Sequence, residues 1–114
     1  VVLIGSEAAL AGGARGAVYS ATKFALRGFC QSLRQDSAAA GIRVTLINPG
    51  MVRTGFFDQL DFEPGEDPTH AIVPEDIAIA VKMVLSSRPE TVFDEINLSP
   101  LKKVVRRKHR APLP

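Results

Sequence analysis

An α/β fold built on a parallel sheet is predicted for this 114-residue chain by two observations. Short apolar, β-branched runs read as strands covered on both faces, and longer segments with helical periodicity separate them. The resulting order of strand, helix, strand, helix, strand implies parallel pairing through right-handed crossovers, with three strands and two main helices.

The run VVLIG opens the chain as the first strand, and Gly12, Gly13 and Gly16 then mark a loop. From about Tyr19 to Ala40, Ala21, Phe24, Ala25, Phe29 and Leu33 recur at helical spacing, and Gly41 stands where a C-cap glycine belongs. IRVTLIN, residues 42–48, is a second strand with apolar side chains pointing both ways, ended by Pro49-Gly50. A polar, acidic loop with Phe56, Phe57 and Phe62 follows; its aromatics suit a partly apolar pocket and core packing about equally. Pro74 starts a second helix, with Glu75 and Asp76 in the first turn where the helix dipole favours anions, and it runs to Ser86 or Ser87. TVFDEINL, residues 91–98, is the third strand, closed by Pro100. Ligands of open parallel sheets bind beyond the carboxyl ends of the strands. Ser6, Pro49-Gly50 and Ser99-Pro100 follow the three strands, so they share one edge.

Composition narrows the function classes. Cys30 is the only cysteine, which excludes an internal disulfide and a cysteine-based cluster and suits a reducing compartment. His70 and His109 have no ligand spacing around them, so no metal is expected. The apolar runs are too short to span a bilayer, and a cytoplasmic protein with no membrane partner is expected. The net charge of +2 is uneven: Lys102, Lys103, Arg106, Arg107, Lys108 and Arg110 leave −4 on residues 1–101. Without interleaved aromatics for base stacking, this basic run reads as a solvated or partner-docking extension, and nucleic acid is not an expected partner.

Tyr19 is the single tyrosine, and Lys23 follows it by four positions, which places both on one helix face about a turn apart. A free tyrosine titrates near pH ~10, and a nearby ammonium favours the phenolate. Bringing such a group near neutrality needs about 4 kcal/mol, which calls for a partly desolvated cleft and more than one positive charge. A tyrosine and lysine at this spacing are by themselves a weak signal, equally an aromatic and a charge on a half-buried helix. Ser6 alone would be a turn residue after a strand, and Thr54 alone a cap.

Their company changes the weighting. GS at residues 5 and 6 after an apolar strand, YSATK beginning thirteen residues after that serine, the continuing FALRGFCQSLRQD, and GIRVTLINPGMVRT at 41–54 resemble the short-chain dehydrogenase/reductase family in its C-terminal half. VPEDIAIAVKMVL and VFDEINLSP look like that family's final helix and strand, so the resemblance spans about residues 1–100. It implies the second half of a Rossmann-like doubly wound parallel sheet, NAD or NADP as cofactor, a small alcohol or ketone as substrate, and a homo-oligomer, dimer or tetramer. Tyr19 would be the general acid/base, Ser6 would hydrogen-bond the reacting oxygen, and Lys23 would hold the nicotinamide ribose and act on the phenol. Pro49, Gly50, Val52 and Thr54 match the turn that meets the nicotinamide carboxamide in this family. The loop with Phe56, Phe57 and Phe62 matches its substrate-lid region.

The family's glycine-rich strand, turn and helix, and an asparagine of its proton relay, are not in this sequence. GGARG at 12–16 does not follow G-x-G-x-x-G and reads as a site-lining loop. Residues 1–101 are therefore expected to be the C-terminal half of a longer dehydrogenase, followed by a basic tail at 102–114, and the isolated chain is expected to be inactive. The alternative is a non-catalytic oligomerisation or interaction fragment derived from such an enzyme.

Overall fold

The computed structural model describes residues 1–108; the last six positions of the expected tail, His109 and Arg110 among them, lie outside the described residues. Along the chain run β1 (Val2–Ile4), α1 (Ala17–Ser37), β2 (Thr45–Pro49), β3 (Phe62–Pro64), α2 (Pro74–Ser86), β4 (Glu95–Leu98) and β5 (Val105–Arg107). The three expected strands form a parallel sheet in the order β1-β2-β4, with Ile4 opposite Ile47 and Pro49 opposite Leu98. β2 is buried along its length, because a strand lies on either side and both helices pack on it. Cys30, Val44 and Leu46 form the core cluster, with Leu3, Leu26 and Leu33 against it.

β4 is shorter than the strand expected at 91–98, and the carbonyls that precede it bond arginine side chains. The Asp94 carbonyl accepts from Arg34 Nη2 at 2.8 Å as well as from the Leu46 amide at 3.1 Å, and Arg43 Nη1 lies 3.4 Å from the Thr91 carbonyl. These arginines tie the end of α1 and the start of β2 to the approach of β4.

The periodicity of α1 is real, but its apolar residues divide between two faces. Ser20 and Cys30 are buried, and Leu26 and Leu33 pack on the core, whereas Phe24 and Phe29 remain exposed. After a 3-10 turn at Ala38–Ala40, Gly41 adopts φ 73°, with Gly41 N donating to Ala38 O and Ile42 N to Ser37 O, the paired bonds of a Schellman ending. Nothing lies within 4 Å of where a Gly41 Cβ would stand. Gly41→Ala is therefore expected to lose only backbone energy, about 1–2 kcal/mol, read as a lowered urea midpoint with unchanged slope. α2 begins at Pro74, and Asp76 Oδ2 accepts from the Val73 amide at 3.0 Å.

Two strands were not expected. β3 and β5 pair antiparallel, with Phe62 opposite Arg107 and Pro64 opposite Val105. Over the described residues the basic run is largely exposed, in keeping with a solvated extension, and it also folds back onto the acidic loop of its own chain. Arg106 pairs with Glu63 and Glu66, Arg107 Nη1 lies 3.9 Å from Asp61 Oδ2, and Lys103 Nζ lies 3.3 Å from Glu7 Oε1. Such short, charged strands have no apolar alternation, so their pairing is visible only once the opposite charges meet.

Candidate active site

Gly5 N donates to Ile47 O at 2.7 Å, which carries the β1–β2 pairing one step past the strand and places Ser6 at the carboxyl edge. Ser6 is buried, and its Oγ accepts from Ala8 N at 3.1 Å, capping the 3-10 turn Glu7–Ala9. Its hydroxyl proton is left to donate. That turn packs against α1, whose first turns carry Tyr19 and Lys23. Lys23 Nζ stands 5.5 Å from the centroid of the Tyr19 ring, a cation–π arrangement that the four-residue spacing produces directly. Tyr19 is 43% exposed, so this pair faces outward beside the Ser6 turn.

Pro49-Gly50 closes β2 at the same edge. Gly50 N donates to Leu98 O at 2.7 Å, and a Cβ on Gly50 would come 3.1 Å from Glu7 Oε2 and 3.2 Å from Pro100 Cδ. The turn is therefore boxed by the segments that follow both neighbouring strands. Val52 bridges Ile72, with Arg53 N donating to Ile72 O and Ile72 N to Met51 O. Thr54 is exposed, and its side-chain oxygen accepts from Phe56 N at 3.2 Å, capping the 3-10 turn Gly55–Phe57. This is the capping use open to any isolated threonine, and the hydroxyl proton again remains available. Of the three loop aromatics, Phe57 is buried and stacks edge-on against Phe56 and Phe62, while Phe56 is exposed.

Two features were missed in the sequence. Asn48 is 1% exposed, and its Nδ2 donates to Asn97 Oδ1 at 3.1 Å across the paired register of β2 and β4. Its Oδ1 lies against Gly5, where a Cβ would come within 2.6 Å, so only glycine fits before Ser6. The available signal was a lone amide closing an apolar strand just before Pro-Gly. Arg27, one turn beyond Lys23, makes a two-point pair with Glu95 at 2.7 and 3.1 Å, anchoring α1 to β4. The hydrogen bond from Glu95 raises the Arg27 guanidinium further above its ordinary value. Nothing local to α1 signalled this partner. Cys30 behaves as the small apolar residue expected: it is fully buried, and burial pushes its thiol up.

Among the described residues, no group of three or more histidine, cysteine or acidic side chains is gathered to hold a metal ion, and no helix is long and apolar enough to cross a membrane. Ser6 and the Pro49-Gly50 turn follow β1 and β2 at the edge where parallel sheets take their ligands, and the three parallel strands with two main helices define the class as a partial Rossmann-like α/β sheet. The short chain dehydrogenase family profile matches residues 1–64, and the chain belongs to that family. A mouse relative, dehydrogenase/reductase SDR family member 11, is 39% identical over 94 residues, covering 75% of this chain and 36% of the relative. The crystal structure of serine dehydrogenase from Escherichia coli superposes with a TM-score of 0.67 at 32% identity, over 85% of this chain and 38% of that one. A closed form of serine dehydrogenase complexed with NADP+ gives 0.69 at 27% identity, over 85% and 42%. The chain thus spans about two fifths or less of the length of the first two of these relatives.

Proposed function

We propose that this chain is the C-terminal, catalytic half of an NAD(P)-dependent oxidoreductase that interconverts a secondary alcohol and a ketone. The observation that carries the reading is the Lys23 ammonium over the Tyr19 ring, on a helix packed beside the Ser6 turn at the ligand edge of the sheet. Tyr19 gives a proton to the carbonyl oxygen in reduction and takes it back in oxidation, and the ammonium one turn away stabilises negative charge on the ring oxygen. The Ser6 hydroxyl, held by its bond to Ala8 N, donates to the same oxygen and fixes its position.

The Lys23 ammonium, the Thr54 hydroxyl and the backbone of the Pro49-Gly50 turn fit the nicotinamide end of a dinucleotide. Lys23 would hold the ribose hydroxyls, and Pro49, Gly50, Val52 and the uncommitted Thr54 proton would meet the carboxamide; NAD or NADP, when bound, supplies the hydride. The exposed Phe24 and Phe29 on α1 support a homo-oligomer, and a single buried thiol suits the cytoplasm. In this reading 1–101 completes a sheet begun by a preceding dinucleotide-binding half.

The test is to join the chain to a glycine-rich strand–turn–helix half and follow nicotinamide absorbance with a panel of ketones. Turnover is expected from the joined protein, and neither turnover nor micromolar NAD(P)H binding from the 114-residue chain alone. A joined protein that folds and binds NAD(P)H but reduces no ketone would refute the assignment.

A further inference from the structure

We propose that residues Lys102–Lys108 form an electrostatic clasp that holds the segment Phe57–Asp67 against the carboxyl edge of the sheet, with Arg106 as its central positioning residue. Five carboxylates lie from Asp58 to Asp67 and five cations from Lys102 to Lys108, and the ion pairs between the segments join Arg106, Arg107 and Lys108 to Asp61, Glu63 and Glu66. The backbone ladder brings them into register: Gly65 N donates to Val104 O at 2.9 Å and Lys108 N to Asp61 O at 2.8 Å. Arg106 then grips Glu63 and Glu66 together, and Lys108 Nζ donates to the Phe57 carbonyl. Arg53, which leaves the Pro49-Gly50 turn, donates to Gly65 O at 2.7 Å from the other side.

The clasp also reaches the site. Lys102 N donates to Thr69 O at 3.0 Å, and Lys103 pairs with Glu7, whose carboxylate borders Gly50 and whose chain neighbour is Ser6. An isolated surface ion pair contributes little, but here several share one guanidinium and one backbone ladder, and the side chains are already ordered. The Glu63 carboxyl is held below its ordinary range, first by the Arg106 hydrogen bond, with Lys108 and Arg53 adding to it. The segment it holds starts three residues after Thr54 and contains the buried Phe57, so the clasp fixes the chain that follows the turn assigned to the nicotinamide carboxamide. That last step rests on the dehydrogenase reading above; the clasp itself does not.

Amide hydrogen exchange on the 114-residue chain tests the clasp without cofactor or turnover. Arg106→Glu is expected to speed exchange at Gly65 and Lys108 by on the order of tenfold or more while Leu46, bonded to Asp94 O within the core sheet, is unchanged. Arg106→Lys should retain most protection, and exchanging the charges with Glu63→Arg in Arg106→Glu should restore it. Raising salt from ~0.1 to ~1 M, which shortens the screening length from about 10 to about 3 Å, should loosen the same amides in the unaltered chain. Unchanged exchange at Gly65 and Lys108, or a parallel rise at Leu46 in both the variant and high salt, would overturn the clasp. In the joined enzyme, Arg106→Glu is expected to raise KM several-fold with kcat held within about twofold. Raised exchange with an unmoved KM would remove the substrate role, whereas an inactive joined enzyme with the exchange pattern intact would count against the dehydrogenase reading alone.

Discussion

Tyr19→Phe in the joined enzyme is expected to cut kcat by about 10²–10⁴-fold, the usual contribution of a positioned acid or base. The substitution isolates one atom. Phenylalanine keeps the ring, and with it the contact to Lys23 at 5.5 Å from the centroid, so the helix and the ammonium have no reason to move. The first turn also keeps its other bonds, since Thr22 Oγ1 bonds the Tyr19 backbone carbonyl and not its side chain. What disappears is the hydroxyl proposed to trade a proton with the reacting oxygen. Dinucleotide affinity should therefore stay within about tenfold while kcat and kcat/KM fall together, the signature of an interaction made in the transition state. Lys23→Met should lower both turnover and affinity, because that side chain is assigned to the ribose as well as the phenol. Undiminished turnover in Tyr19→Phe would remove the phenol from the chemistry.

Leu46→Ala is expected to destabilise the fold by about 2–5 kcal/mol, roughly a third of the ~5–15 kcal/mol that a small domain can lose before unfolding. Leu46 is fully buried in the central strand, and it packs with Cys30, Val44 and the leucines of β1 and α1. Truncating it leaves a cavity between the helix that carries Tyr19 and the strand that ends in Pro49, so the two sides of the site would lose their common support. Leu101→Ala is the control: Leu101 is 82% exposed, and its loss should fall within about 0.5 kcal/mol. Urea unfolding of the two variants side by side gives the comparison, and equal midpoints would show that the assigned core is not the folding core.

The parallel sheet was legible because β2 is apolar on both faces, the pattern of a strand enclosed from each side. The Tyr19–Lys23 contact was legible because helical geometry converts a four-residue spacing into proximity. The cap at Gly41 was legible because the left-handed backbone there favours glycine. Cooperation between Asn48, Asn97 and Gly5 was not legible: it depends on which residues the β1–β2–β4 register sets side by side. Nor was the inward face of α1, since Phe24 and Phe29 advertise an apolar stripe that turns away from the sheet.

What the amino-acid order determined alone is local in origin: strand and helix identity, the cap at Gly41, and a phenol and an ammonium one turn apart. Such features follow from backbone sterics and periodicity within a few residues. Which distant groups meet was decided by the tertiary structure: Arg27 with Glu95, Asn48 with Asn97, and the basic C-terminal run with the acidic loop more than forty positions before it, as Arg106 and Glu63 show. Those contacts exist because chain crossovers and strand register bring complementary charges and amides together, and opposite charges carry no pairing information until folding sets their separation.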